Sequence, residues 1–248
     1  MKGTLIGLGL AVLSTGLAAQ APGKFPPDSL VNTKVIPHDT PVMQVVGTMR
    51  NFAGGLGVRC TFCHVGEEGK PLDTYDFAVD KKRTKLVARQ MMRMVEEINH
   101  RLDTIPERPT AGVTVTCRTC HRGVSRPVPL STQLVETTLA AGADSAVRLY
   151  QALRQRYYGR DAFDFGEGSL STAAFQVGRE KKYDDALALL RLNETLFPNS
   201  SGMSVFRGNI LLMRGDSAGA GMAYREALTR DSTNGEARGR LKEIGQKP

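Results

Sequence analysis

All four cysteines of this 248-residue chain fall in two pentapeptides, Cys60-Thr-Phe-Cys63-His64 and Cys117-Arg-Thr-Cys120-His121, and none is left over. On a helical turn, two sulfurs three residues apart lie on one side. That spacing suits thioether attachment to the two vinyl groups of a haem, and the histidine that follows can ligate the iron from below. A four-cysteine zinc site usually separates its pairs by about 15–20 residues, whereas 53 residues lie between Cys63 and Cys117. Two local or crossed disulfides, which an exported protein permits, are a further alternative. A thioredoxin-type pair needs a βαβ setting, and none is visible. The expectation is two covalently bound haem c groups, attached through Cys60, Cys63, Cys117 and Cys120, with His64 and His121 as proximal ligands.

The start of the chain sets the compartment. Residues 1–21 read as a secretory signal, with Lys2 as a charged start, an apolar run from Leu5 to Leu17, and Ala19-Gln20-Ala21 as a small-x-small cleavage pattern. A membrane anchor needs about 20 apolar residues, and this run is too short. No cysteine near the cleavage point offers a lipid anchor. The expected location is periplasmic or extracellular, with peripheral membrane association still open.

Three regions follow the signal. Residues 22–39 are Pro-rich and read as a tether, and residues 40–130 contain both haem peptides. Thr40 and Pro41 begin a helix whose Val42, Val45, Val46, Met49, Phe52 and Leu56 share a face, and Gly54, Gly55 and Gly57 end it. After a polar loop, Asp80 is placed to cap a second helix with Val87, Met91, Met94, Val95, Ile98 and Leu102 on one face. Pro106 and Pro109 close that helix, and a β-prone run from Val113 leads to the second peptide.

Residues 131–248 contain no Cys or His and are Ala- and Leu-rich. A shift of 34 residues pairs Val177 with Leu211, Ala186 with Ala220, and Leu190 with Tyr224, and 34 is the tetratricopeptide period. Each unit reads as a helical hairpin, with Ala186 and Ala220 small where helices cross and Lys181 and Gly215 turning the chain. Residues 133–158 and 236–245 supply the flanking helices that a short array needs. The fold class is therefore mainly α, a dihaem c-type cytochrome domain followed by a tetratricopeptide-like domain.

The sixth ligands are harder to place. Met49 lies on an apolar stripe where a plain core methionine is the ordinary role. It also lies eleven residues before Cys60 on a helix that turns straight into the haem peptide, and a thioether is a usual axial partner, so the ligand role is preferred. For the second haem, Met94 or Met91 is preferred to His100, which lies about 240° further round the helix from Met94; His38 is a remote option. Arg122, with Arg118 and Arg126, flanks the second peptide and can pair with propionates, or be solvated. Lys81, Lys82, Arg83, Lys85 and Arg89 form a basic run that either steers an acidic redox partner or is a solvated helix face.

These residues resemble a known family, the cytochrome subunit of photosynthetic reaction centres together with small exported c-type cytochromes related to one half of it. The resemblance spans about residues 31–130 and is carried by Met49, Leu56-Gly57-Val58 before Cys60-Thr-Phe-Cys63-His64, Ala88-Arg89, Arg93-Met94-Val95, Ile98-Asn99, and Cys117-Arg-Thr-Cys120-His121-Arg-Gly-Val with Pro127. It implies a helix before each haem peptide and Met49 as the sixth ligand of the first haem. This chain departs from the full subunit in carrying two haem peptides rather than four, in lacking the lipid-anchoring cysteine, and in adding the helical repeats.

The net charge of +8 invites a nucleic-acid reading. Residues 22–130 hold 16 basic and 11 acidic side chains, and the four propionates of two haems would nearly cancel that excess, so no nucleic-acid partner is expected. The function expected is electron carriage between a redox donor and acceptor, with the repeats docking a partner or a second copy. The alternatives are a haem enzyme reducing peroxide or nitrite at an open iron, and a redox-sensing repeat adaptor.

Overall fold

A computed structural model describes residues 24–108 and 112–247; the signal-like segment 1–21 and Pro109 lie outside them. Among the described residues there are ten α-helices and no β-strand. They form two compact units, one of residues up to 53 with 59–115, the other of residues 54–58 with 116 onward.

The first unit contains most of α1 (Val42–Leu56) and all of α2 (Arg83–Asp103). The carbonyl of Pro41 accepts the N–H of Val45 at 3.2 Å and opens α1. At its other end Gly57 takes φ +65, the left-handed conformation in which a glycine stops a helix. Asp80 does not cap α2. That position belongs to Lys82, and the Asp80 carboxylate instead ion-pairs with Lys85 at 3.0 Å and Arg89 at 2.7 Å. The run from Val113 forms no strand, because no second strand adjoins it among the described residues. The Pro-rich tether is strapped down, with Arg89 donating to the Asn32 carbonyl at 2.9 Å and Phe25 packed on Phe77.

The second unit contains the short helix α3 (Cys117–His121) and a helical array: α4 (Leu130–Ala141), α5 (Ala143–Tyr157), α6 (Glu167–Arg179), α7 (Tyr183–Leu196), α8 (Ser201–Met213), α9 (Ser217–Arg230) and α10 (Gly235–Glu243). The 34-residue period is visible in the elements themselves. Helices α6, α8 and α10 start at 167, 201 and 235, and α7 and α9 at 183 and 217. Lys181 at φ +62 and Gly215 at φ +89 turn equivalent hairpins. Ala186 and Ala220 are fully buried, as are Leu190 and Tyr224 one turn on. The crossings are tight, since a Cβ on Gly208 of α8 would lie 2.4 Å from the Tyr224 ring of α9. This arrangement of stacked hairpins is tetratricopeptide-like.

The two units differ in what they bury. The array has a continuous apolar core from Leu130 and Leu134 through Leu170, Val177, Leu189, Leu190 and Ile210, with a second cluster around Tyr224 and Leu241. In the first unit no apolar side chain is fully buried among the described residues, and its one buried side chain is Lys85.

Candidate functional site

The first Cys-x-x-Cys-His peptide is a single tight turn. Cys63 and His64 both donate backbone N–H groups to the Cys60 carbonyl, at 3.2 and 2.9 Å. The start of α2 holds it: Lys82 Nζ donates to the Thr61 carbonyl and Thr84 Oγ1 to that of Phe62. His64 meets the Phe77 ring edge-on at 5.0 Å, and Phe77 in turn stacks on Tyr75 at 5.7 Å. Phe77 lies on a strap, residues 65–80, closed where Asp76 N–H donates to the Val65 carbonyl at 2.8 Å. The carboxylate of Asp76 accepts from the N–H groups of Ala78 and Val79, each at 3.0 Å.

Those contacts set the chemistry of His64. Burial, and after it the charge of Lys85, hold its imidazole below the ordinary value of 6.5. The ring is therefore neutral near pH 7, which is the form a metal binds. Its Nδ1 is buried and makes no hydrogen bond among the described residues. Burial also pushes the thiols of Cys63 and Cys117 up from their ordinary value, and none of the four cysteines is paired in a disulfide.

The second peptide is built differently. Thr119 Oγ1 accepts from the Thr116 N–H at 3.0 Å and starts α3. The helix ends on two left-handed residues, Arg122 at φ +49 and Gly123 at φ +89. Gly123 N–H then donates to the Gly55 carbonyl at 2.8 Å, which lays the end of α1 against the peptide. Only glycine fits at position 57, since a Cβ there would lie 2.0 Å from the Gly123 oxygen. His121 Nδ1 lies 2.9 Å from the Val124 carbonyl. A carbonyl only accepts, so Nδ1 carries the proton and Nε2 keeps its lone pair for a metal.

Asn99 of α2 prepares the approach to that peptide. Its side-chain amide donates to the Val115 carbonyl and accepts from the Val115 N–H, both at 2.8 Å, standing in for the missing neighbour strand. Sequence reasoning found the cysteines and histidines but assigned no role to Asn99, Thr84 or Phe77. A single polar residue on a helix carries no periodic signal.

The remaining candidates separate. Met49 is half-buried on α1, whereas Met91 and Met94 of α2 are 40% and 45% exposed. Met94 belongs to the first unit and Cys117–His121 to the second. Arg118 and Arg122 make no ion pair among the described residues, while Arg126 is taken by Glu136 at 2.6 Å. The basic run is mostly spent on structure, because Lys82, Lys85 and Arg89 are bound to backbone carbonyls and Asp80. Lys81 and Arg83 remain as its exposed charges. His100 is exposed, and Nδ1 of the exposed His38 lies 2.9 Å from the Thr33 hydroxyl.

The residues present fit haem c. Each peptide offers two thiols and an imidazole, and α1 and α2 carry apolar stripes with no apolar side chain fully covered. No helix among the described residues is long and apolar enough to cross a membrane.

One solved structure, the first TPR of Spaghetti (RPAP3) bound to an HSP90 peptide, is 20% identical with a TM-score of 0.32, covering 47% of this chain and 87% of that one. The Photosynthetic reaction center cytochrome c subunit of Rubrivivax gelatinosus is 32% identical over 91 residues, 33% of this chain and 23% of that protein. The chain thus spans about a quarter of the length of that curated relative. The family described as Photosynthetic reaction centre cytochrome C subunit matches residues 67–151, a stretch that begins just past His64 and includes α2, the second Cys-x-x-Cys-His peptide, α4 and the first part of α5. Over that stretch the chain is similar to the reaction-centre cytochrome c subunits.

Proposed function

We propose that this chain is an exported dihaem c-type cytochrome that carries electrons between redox protein partners, with its helical array as the docking element. The observation that carries this reading is the contrast between the two units. A unit of this size normally folds around buried apolar side chains, yet the first unit buries none among its described residues and leaves the apolar stripes of two amphipathic helices partly exposed. A covalent porphyrin on Cys60 and Cys63 supplies the missing apolar contact. Haem contributes one-electron chemistry at iron; the protein contributes the attachment, the axial ligands and the surroundings.

In this reading Cys60 and Cys63 attach the first haem and His64 is its proximal ligand. Cys117, Cys120 and His121 do the same for the second. Met49 closes the first iron and Met94 the second, and Arg122, which has no carboxylate partner among the described residues, pairs with a propionate. Six-coordinate iron at both sites suits a carrier rather than an enzyme. The exported location rests on the signal-like residues 1–21. The array presents a surface for a protein partner or a second copy.

Intact-mass analysis of the denatured protein should give a chain lacking the signal and heavier by two haems. The reduced absorption spectrum should change little under carbon monoxide. A chain at its bare polypeptide mass would refute the cofactor assignment, and a spectrum remade by carbon monoxide would favour an enzyme with an open iron.

A further inference from the structure

Lys85 is the one charged residue buried among the described residues of the chain, 9% exposed. Its ammonium donates to three consecutive carbonyls, Phe77 at 2.9 Å, Ala78 at 2.9 Å and Val79 at 3.0 Å. Three N–H bonds meet three acceptors, so its hydrogen bonding is complete without a carboxylate. Asp80 stands 3.0 Å away as a counter-ion, and the same carboxylate also holds Arg89 at 2.7 Å. Two cations therefore share one anion, and the cluster keeps one net positive charge. Arg89 is nearly as enclosed, with 14% of its side chain exposed, against 34% for Asp80.

The cluster stands next to the first haem peptide through one residue. Phe77 gives its carbonyl to Lys85 and its ring to the edge of His64. A buried ammonium is costly to desolvate, and a neutral donor could hold the same carbonyls. The charge itself therefore calls for a use.

We infer that Lys85, with Asp80 and Arg89, holds a fixed positive charge behind His64 that raises the reduction potential of the first haem. The inference rests on Cys60, Cys63 and His64 carrying a haem. The electron that takes ferric to ferrous iron adds one negative charge, and a nearby fixed cation in poorly solvated surroundings favours that addition. Lys85 is thus a positioning residue in two senses, fixing the strap that braces His64 and setting the charge around it.

The test is a redox titration of the full-length holoprotein and three variants, each first checked by intact mass for two haems. Lys85→Met and Arg89→Gln each remove a positive charge, and one of the two reduction steps should move to lower potential while the other stays. Asp80→Asn removes the negative charge, and the same step should move to higher potential. A purely structural role would instead loosen His64 in every variant and move the potentials in one direction. Shifts of one sign throughout, or no shift with both haems attached, would overturn the inference. If Lys85→Met fails to accumulate, the opposed pair Arg89→Gln and Asp80→Asn decides the matter. A parent protein with no haem on Cys60 and Cys63 would refute the underlying assignment instead, and the mass measurement separates the two failures.

Discussion

Replacing Gly57 with Ala isolates the contact that lays the end of α1 against the second Cys-x-x-Cys-His peptide. Two costs arise. The residue holds φ +65, and an L side chain in that conformation costs roughly 1–2 kcal/mol. In addition, the new Cβ would lie 2.0 Å from the Gly123 oxygen. No bent side chain relieves that clash, because the struck atom is backbone. The two segments must part, and the 2.8 Å bond from Gly123 N–H to the Gly55 carbonyl breaks, a further loss of about 1 kcal/mol. The expected total is about 2–3 kcal/mol. Gly215→Ala is the control: its φ is +89 but nothing lies within 4 Å of the new Cβ. At the same turn of the preceding hairpin, Lys181 already holds φ +62, so Gly215→Ala should cost only the conformational share, roughly 1–2 kcal/mol. Calorimetric melting of the holoprotein gives the difference. At roughly 4 °C per kcal/mol for a unit of this length, Gly57→Ala should melt several degrees below Gly215→Ala. Hydrogen exchange at the Gly123 amide is the local readout, slow in the parent and in Gly215→Ala, fast in Gly57→Ala. Equal melting of the two variants with a still-protected Gly123 amide would refute the close approach.

Residues 131–248 expressed alone should show helical circular dichroism and a cooperative melt, since their apolar core is built from their own side chains; a disordered fragment would refute this. Chains with all four cysteines changed to Ala should keep that melt and lose the helicity of the first unit. Asp80 gives a pH dependence: its pairing with Arg89, then Lys85, holds its carboxyl well below the ordinary 3.8. The folded state therefore binds fewer protons there than the unfolded one. Its contribution is complete above about pH 4 and is lost as the pH falls through the folded value, so the stabilities of the parent and Asp80→Asn should differ by a constant amount above that range and converge as the pH falls through it. Gly208→Ala drives a methyl into the buried Tyr224 ring at 2.4 Å, an overpacking that costs about 1–3 kcal/mol; an unchanged melting temperature would argue against the tight α8–α9 crossing.

The local chemistry was legible from residue spacing alone. The Cys-x-x-Cys-His peptides, the apolar stripes of α1 and α2, the glycine stop after Leu56 and the 34-residue hairpin period all arise from contacts within a few turns or from one unit copied onto the next, and such patterns are written directly in the sequence. The left-handed turns at Lys181 and Gly215 belong to this class. What holds the peptides in place was not legible. Asn99 grips Val115 from sixteen residues away, Lys85 collects three carbonyls of a strap, and Gly57 is forced by a backbone that arrives 66 positions later. Even the run of positive charge at the start of α2 reads as a solvated docking face until the fold turns Lys85 and Arg89 inward onto Asp80. Hydrogen bonds of this kind join single residues without periodicity. Only the tertiary structure brings their partners within 3 Å, and so only it decides which polar groups brace the site and which remain free.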